Sequence, residues 1–189
     1  LADCIDCVRG KYIDVTASDE ATDCLDCVVG KYIDVTASDH LTDCIDCVVG
    51  TYTNYTGSDA AADCIDCIAG KYINVTGSDD ATDCIACGVG KYIHVSGSDA
   101  ASDCIACIAG KYVEVVSSDE ETDCIECAMG KYSTVVGSFT VGNCIDCIAG
   151  KYVDATRPQQ NDEETDCRQC IAGKFSPVIG SFSVSDCID

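Results

Sequence analysis

The sequence predicts a small disulfide-rich, β-rich fold: an elongated rod of about nine tandem repeats of 20 residues with essentially no helix. Three observations predict it. The unit DCIDCVVGKYIDVTASDEAT returns every 20 residues, the signature of a repeat architecture. Cysteine fills 19 of 189 positions, more than a reducing compartment tolerates in one chain. Each repeat carries one stretch of β-formers between turn residues, and no segment shows a helical stripe.

Cysteine pairs of the form CxxC begin at Cys4, Cys24, Cys44, Cys64, Cys84, Cys104, Cys124 and Cys144. The ninth, Cys167 and Cys170, arrives three residues late, because Arg157, Pro158, Gln159, Gln160 and Asn161 lengthen one connection. That segment is expected to be exposed. Residues 1–189 read as a single array, with units starting near 4, 24, 44, 64, 84, 104, 124, 144 and 167, and as a window cut from a longer chain.

Three residues after the second cysteine stands Gly10, Gly30, Gly50 and so on to Gly173, where a turn needs positive φ. An aromatic follows, Tyr12 through Tyr152 and then Phe175, leading a stretch such as Lys31–Thr36 that reads as a short strand. Its alternation sets Tyr32, Asp34 and Thr36 against Ile33 and Val35. The aromatic is expected to pack on a disulfide. A polar turn such as Ala17-Ser18-Asp19 or Gly57-Ser58-Asp59 closes the unit. The apolar residue inside each pair, Ile5, Leu25, Ile45 and their equivalents, marks the expected edge of a core. Each unit is expected to touch only its neighbours.

For the recurrent C-x2-C-x16-C-x2-C, a disulfide scaffold and a zinc site both fit the spacing. A bond from the second cysteine of one pair to the first of the next treats every unit alike. It joins Cys7 with Cys24, Cys27 with Cys44, Cys47 with Cys64, Cys67 with Cys84, Cys87 with Cys104, Cys107 with Cys124, Cys127 with Cys144, Cys147 with Cys167 and Cys170 with Cys187. Cys4 is then left for a unit preceding this window. Zinc would make alternate connections differ, and bonding within a pair would close almost no chain. Both stay open beside the ladder. In the entropic account each loop of the ladder contributes about 3 kcal/mol, which suits a chain without Trp and with only three Phe.

Net charge is -22, which opposes binding to nucleic acid or to an anionic membrane face. No apolar run approaches the ~20 residues needed to span a bilayer, so no membrane insertion is expected of this segment. Acidic residues fall in columns, Asp3 through Asp123 before the first cysteine and Asp19 through Asp119 after the turn. A solvated face is one reading and calcium, held by carboxylates, the other; no EF-hand or glycine-rich calcium repeat is visible. No other cofactor or metal is expected. All eight lysines share one column, with Thr51 the exception, which suggests pairing with the acidic stripe of a neighbouring unit or chain. His40 and His94 read as plain surface residues.

Asn54-Tyr55-Thr56 and Asn74-Val75-Thr76 are N-glycosylation acceptors in the same column, one unit apart. Thr16, Thr36 and Ser18 suit O-linked sugars or ordinary turn chemistry. No constellation of nucleophile, base and oxyanion donors emerges, and no enzyme is expected.

At Cys27-Val28-Val29-Gly30-Lys31-Tyr32, then Ala37-Ser38 and Asp43-Cys44-Ile45-Asp46-Cys47, the chain resembles the cysteine-rich repeats of the ephrin-receptor-like type, themselves similar to tumour-necrosis-factor-receptor modules. The likeness runs over essentially the whole chain. It departs where that family usually has Pro after the second cysteine and this chain has Val8, Val28, Ile68 or Gly88. The resemblance implies helix-poor ectodomain rods in which the cysteine before the Gly-Tyr element bonds to one further along. The expected setting is extracellular or the cell surface, reached by the secretory pathway. The expected role is the shaft of an extracellular filament or surface fibre, glycan-coated and joined to identical or related chains. The alternative is the ligand-binding stalk of a receptor or adhesin, with Arg157–Glu164 or Phe139–Gly142 as the specialised place.

Overall fold

The computed structural model describes residues 5–153 and 161–189, so Cys4 and most of the lengthened connection lie outside the described residues. The chain forms two compact units, Leu1–Ala86 with Val95–Asp103, and Cys87–His94 with Cys104–Asp189. The same small β motif builds both.

In the first unit, Lys31–Tyr32 pairs antiparallel with Ile45–Asp46 of the next repeat, Lys31 facing Asp46 and Tyr32 facing Ile45. Lys11–Tyr12 with Leu25–Asp26, Thr51–Tyr52 with Ile65–Asp66, and Lys71–Tyr72 with Ile85–Ala86 repeat that register. A parallel bridge covers the other side of each aromatic, Tyr12 to Ser38 and Tyr32 to Ser58 among them. In the second unit Lys91–Tyr92, Lys111–Tyr112 and Lys131–Tyr132 pair with Ile105–Ala106, Ile125–Glu126 and Ile145–Asp146. Lys151–Val153 pairs with Cys167–Gln169 over three residues.

These strands are shorter than Lys31–Thr36, the stretch the β-formers suggest. After Tyr32 the backbone groups of Ile33 are used by two different repeats: its N–H donates to Ser58 O at 3.1 Å, and its C=O accepts from Gly10 N at 3.0 Å. The chain then bends, and Ala37 takes φ of 60°. Period-two alternation therefore stops at Ile33, which is fully buried, while Val35 stays exposed instead of sharing its side.

The core is a row of small clusters, as expected of a chain this poor in large apolar residues. Tyr12 packs with Cys27, Ile33 and Cys44, so the aromatic of one repeat lies against the disulfide of the next. Tyr52 with Cys67, Ile73 and Cys84 does the same in the first unit. Tyr92 with Cys107, Val113 and Cys124, and Tyr132 with Cys147, Val153 and Cys167, do so in the second. The apolar residue inside each cysteine pair is not a core edge. Ile45 is 46% exposed, because the antiparallel pairing leaves that face of the short strand uncovered, and Ile5, which lies in no strand, is 79% exposed.

Among the described residues helix occurs only as three-residue 3-10 turns, such as Ala21–Asp23, Leu41–Asp43 and Ala61–Asp63, entering each first cysteine. The acid before that cysteine organises the turn. Asp63 Oδ2 accepts from the backbone N–H groups of Asp59 at 2.8 Å and Ala60 at 3.1 Å. Asp43, Asp83, Asp103 and Asp123 repeat the arrangement. A carboxylate that accepts two otherwise unpaired amides acts as a cap.

Contacts also skip a repeat, which overturns the expectation that units touch only their neighbours. Gly10 has φ of +82°, and a Cβ there would stand 2.8 Å from the carbonyl carbon of Gly57, two repeats on, with the carbonyl oxygen nearer still. Gly50 meets Gly97 in the same way. The missing side chain lets two backbones touch, and the Cα faces the carbonyl as in a weak C–H···O contact. Where the chain is lengthened, Asn161 takes over this place. Its carbonyl accepts from Ser133 N at 2.9 Å, and it approaches Gly110, where a Cβ would be 3.1 Å from Asn161 O.

Candidate functional site

Nine disulfides join the second cysteine of each pair to the first of the next. They are Cys7–Cys24, Cys27–Cys44, Cys47–Cys64, Cys67–Cys84, Cys87–Cys104, Cys107–Cys124, Cys127–Cys144, Cys147–Cys167 and Cys170–Cys187. Cα–Cα distances run from 5.6 to 5.8 Å, the ordinary span of an unstretched bridge. The bridge over the lengthened connection closes 20 residues instead of 17 at the same span. The second cysteine of the pair is fully buried at Cys27, Cys47, Cys67 and Cys87, whereas Cys170 is half-buried. The pairing expected for Cys4 lies outside the described residues.

Among the described residues no three His, Cys, Asp or Glu side chains converge on a point that would hold a metal ion. The acid column before the cysteine is spent on capping, and a third column, Asp26, Asp46 and Asp146 inside the cysteine pairs, faces the lysines. Lys11 Nζ lies 2.7 Å from Asp26 Oδ1, Lys31 2.5 Å from Asp46, Lys131 2.9 Å from Asp146 and Lys174 3.0 Å from Asp189. Each is a cross-strand pair or its equivalent between adjacent repeats. Being partly exposed, each is worth about 0–1 kcal/mol. Lys71 and Lys91 face Ala86 and Ala106 across their pairings, so the column is not uniformly matched by acid.

Of the two histidines read as plain surface residues, His40 has a local role. His40 Nδ1 accepts from Thr42 N at 3.2 Å and thereby caps its turn. Asp80 accepts from Thr82 N at 2.8 Å, and this backbone hydrogen bond, with the Thr82 hydroxyl, holds its carboxyl below the usual range. His94 stands 6.4 Å from the Tyr92 ring.

Asn54 and Asn74 are both exposed, in the bend just after the strand. The Thr column at Thr16, Thr36, Thr56 and Thr76 is exposed too, and so is Ser18. The other serines of the Ser18 column are buried. Ser38 is only 5% exposed, and Ser78, Ser98 and Ser118 are similar, so a transferase could not reach them. Sequence reading missed what this buried serine does. Where the residue five positions earlier carries a hydroxyl, the two pair: Thr53 with Ser58 at 3.2 Å, Ser133 with Ser138 at 3.3 Å and Ser176 with Ser181 at 2.8 Å. Where it is Ile33, Ile73 or Val113, the hydroxyls of Ser38, Ser78 and Ser118 find no partner. The signal was present as a column swap, Ile to Thr or Ser, that periodicity alone does not interpret.

The surface is apolar in columns. Leu25, Ile45, Ile65 and Ile85 recur at 20-residue spacing on the first unit, beside Val8, Val28, Val48 and Ile68, all exposed. Tyr55 is 65% exposed where the other repeats carry Val, or Ala at position 155, and it lines a shallow recess with Thr56, Ala62, Asp63 and Ile65. At the other suggested specialised place Phe139 is exposed, and Thr140 Oγ1 caps Gly142 N at 3.2 Å. Of Arg157–Glu164, residues 157–160 lie outside the described residues.

A family profile described as tyrosine-protein kinase ephrin type A/B receptor-like matches three overlapping windows, residues 15–64, 36–84 and 55–104. The windows step by one repeat each, so the profile recognises the periodic unit itself. The matched repeats form a disulfide-rich family that is not catalytic. A search among curated proteins gave no match. The disulfides and the family fit an extracellular or cell-surface setting, and no helix of the described residues is long and apolar enough to cross a membrane. Residues 15–104 thus carry cysteine-rich tandem repeats of the ephrin-receptor-like type.

Proposed function

We propose that the chain is the repeated structural segment of an extracellular filament or cell-surface fibre, glycosylated at Asn54 and Asn74, whose partners are identical or related chains. The observation that carries this reading is the equivalence of the bridges: nine disulfides repeat one connection. A protein whose task is to set length and stiffness needs the same joint many times, whereas a binding protein needs one unlike the others. Apolar side chains exposed at a constant spacing support like-with-like assembly, since a chain with the same repeat is the partner that matches them in register. The charge of -22 keeps single chains apart until contact area and screening outweigh repulsion.

Electron microscopy of native material tests the reading. Long uniform fibres containing this chain are expected, while isolated stalks ending in a head would sink it. One observation favours that second reading, a receptor or adhesin stalk. The repeat that starts at Cys44 departs from its column at Thr51, Thr53 and Tyr55 together, as a repeat given a binding task would.

A further inference from the structure

The repeat starting at Cys44 departs from its columns at three positions. Thr51 replaces the lysine of its column, and its hydroxyl bonds inward to Val48 O at 2.8 Å, leaving Asp66 opposite a short neutral side chain. Thr53 replaces Ile or Val and pairs with Ser58. Tyr55 replaces Val and is the one exposed tyrosine of the described residues, at 65%; those of the strand column are buried or half-buried. Immediately before it stands the exposed acceptor Asn54, and Thr56, the residue that completes the acceptor triplet, lines the recess.

The lining of the recess is of two chemical kinds: Tyr55, Ala62 and Ile65 are apolar, and Asp63 carries a carboxylate. Asp63 uses Oδ2 on the amides of Asp59 and Ala60, which fixes the carboxylate and leaves Oδ1 as a second acceptor. Its volume is about 400 Å³, at the small end of the roughly 300–1,000 Å³ of ligand sites. A pyranose is two-faced in the same way, with a C–H face that lies on an aromatic ring and hydroxyls that donate to carboxylate.

A free sugar would gain little in so open a hollow, because association costs translational and rotational freedom. A sugar already bonded to the adjacent residue has paid that cost, and its effective concentration is of millimolar order or higher. We propose that this recess seats the first sugar of a glycan carried by Asn54, an N-acetylhexosamine whose ring lies over Tyr55. The inference rests on the reading of Asn54 as glycosylated. Asn74, followed by Val75, carries a sugar with no aromatic beside it.

The test uses the full chain secreted from eukaryotic cells, with occupancy at Asn54 measured by glycopeptide mass spectrometry and tyrosine reactivity by nitration and peptide mapping. Tyr55 is expected to nitrate roughly five-fold more slowly when Asn54 is occupied, a seated population near 80%. Protection should survive trimming the glycan to its first sugar, vanish in Asn54→Gln, and persist in Asn74→Gln. Occupied Asn54 with Tyr55 as reactive as in Asn54→Gln overturns the seat and leaves glycosylation standing. A bare Asn54 in secreted protein overturns both. Protection lost on trimming to one sugar also overturns the seat, because the outer glycan would then be the shield.

Discussion

Replacing Gly30 by Ala separates two costs that the same substitution at Gly150 cannot combine. Both glycines hold left-handed backbone, φ +82° and +85°, so either alanine pays about 1–2 kcal/mol for the conformation. Only Gly30 faces another repeat. A Cβ there would lie 2.9 Å from the carbonyl carbon of Gly77, with the oxygen nearer still, whereas nothing stands within 4 Å of the Gly150 position. Forcing backbones apart in a packed contact costs about 1–3 kcal/mol more, giving roughly 2–5 kcal/mol for Gly30→Ala against 1–2 for Gly150→Ala. Amide hydrogen exchange reads this locally, which matters because repeat arrays need not unfold in one step. The amides to follow are Gly30 N, bonded to Thr53 O, and Gly77 N, bonded to Cys47 O, with Gly150 N, bonded to Ser176 O, as reference. Protection should fall about 5- to 150-fold further in Gly30→Ala, at 1.4 kcal/mol per decade. Equal losses at the two sites would refute the claim that repeats separated by one unit hold each other.

Ser38→Ala is expected to be neutral or stabilising, because it removes a buried hydroxyl without a partner, whereas Ser58→Ala should cost about 1–3 kcal/mol by orphaning the buried Thr53 hydroxyl; opposite ordering in thermal denaturation would contradict this. Ala37→Gly and Ser117→Gly should each stabilise by about 0.5–1 kcal/mol, since both residues hold φ of 60° and Gly77 and Gly97 fill the same column. Removing the Cys47–Cys64 bridge by a double Ser substitution should cost about 3 kcal/mol, and chelator-free reduction of the whole chain should abolish its β circular dichroism. Asp80 has a depressed folded pKa, so its contribution is present above the unfolded value near 4 and is lost as pH falls through the folded one. Asp80→Asn should flatten that part of an acid melting profile.

The legible part of this fold was whatever the 20-residue column encodes by itself. Cysteine spacing, the turn glycine and the aromatic were each readable because local chemistry demands them: φ above zero for Gly30, a sulfur surface for Tyr12. What escaped depends on residues in other repeats of the chain. Ile33 and Val35 have the same β propensity and the same parity, yet one is fully buried and the other exposed. The difference is made by Ser58 and Gly10 capturing the backbone of Ile33, and no window of one strand contains those partners. The capping role of Asp43 escaped for the opposite reason. Its partners are the amides of Asp39 and His40, four and three residues away, but a column of acids in an acidic chain invites a reading as solvated face or cation ligand before a local one.

The same distinction sorts the functional features. A constraint imposed in every repeat, such as the disulfide or the aspartate cap, concerns how the array holds together and carries little information about what it meets. Information about partners has to lie in positions the repeat leaves free, and these are the exposed ones: Leu25, Val28 and Val35 in one repeat, Ile65, Ile68 and Tyr55 around another. Most of these positions keep an aliphatic residue although nothing inside the described structure covers them, which fits a surface used in the same way along the chain. Tyr55 breaks that sameness at one repeat, beside an exposed acceptor asparagine and with the lysine of its column gone. If the array assembles through its aliphatic columns, a sugar folded down over Tyr55 interrupts the matching face at that repeat, so lateral association should tighten in Asn54→Gln. Sedimentation velocity on the two glycoforms measures that shift, and unchanged association would mean that the aliphatic columns and the acceptor site serve separate faces.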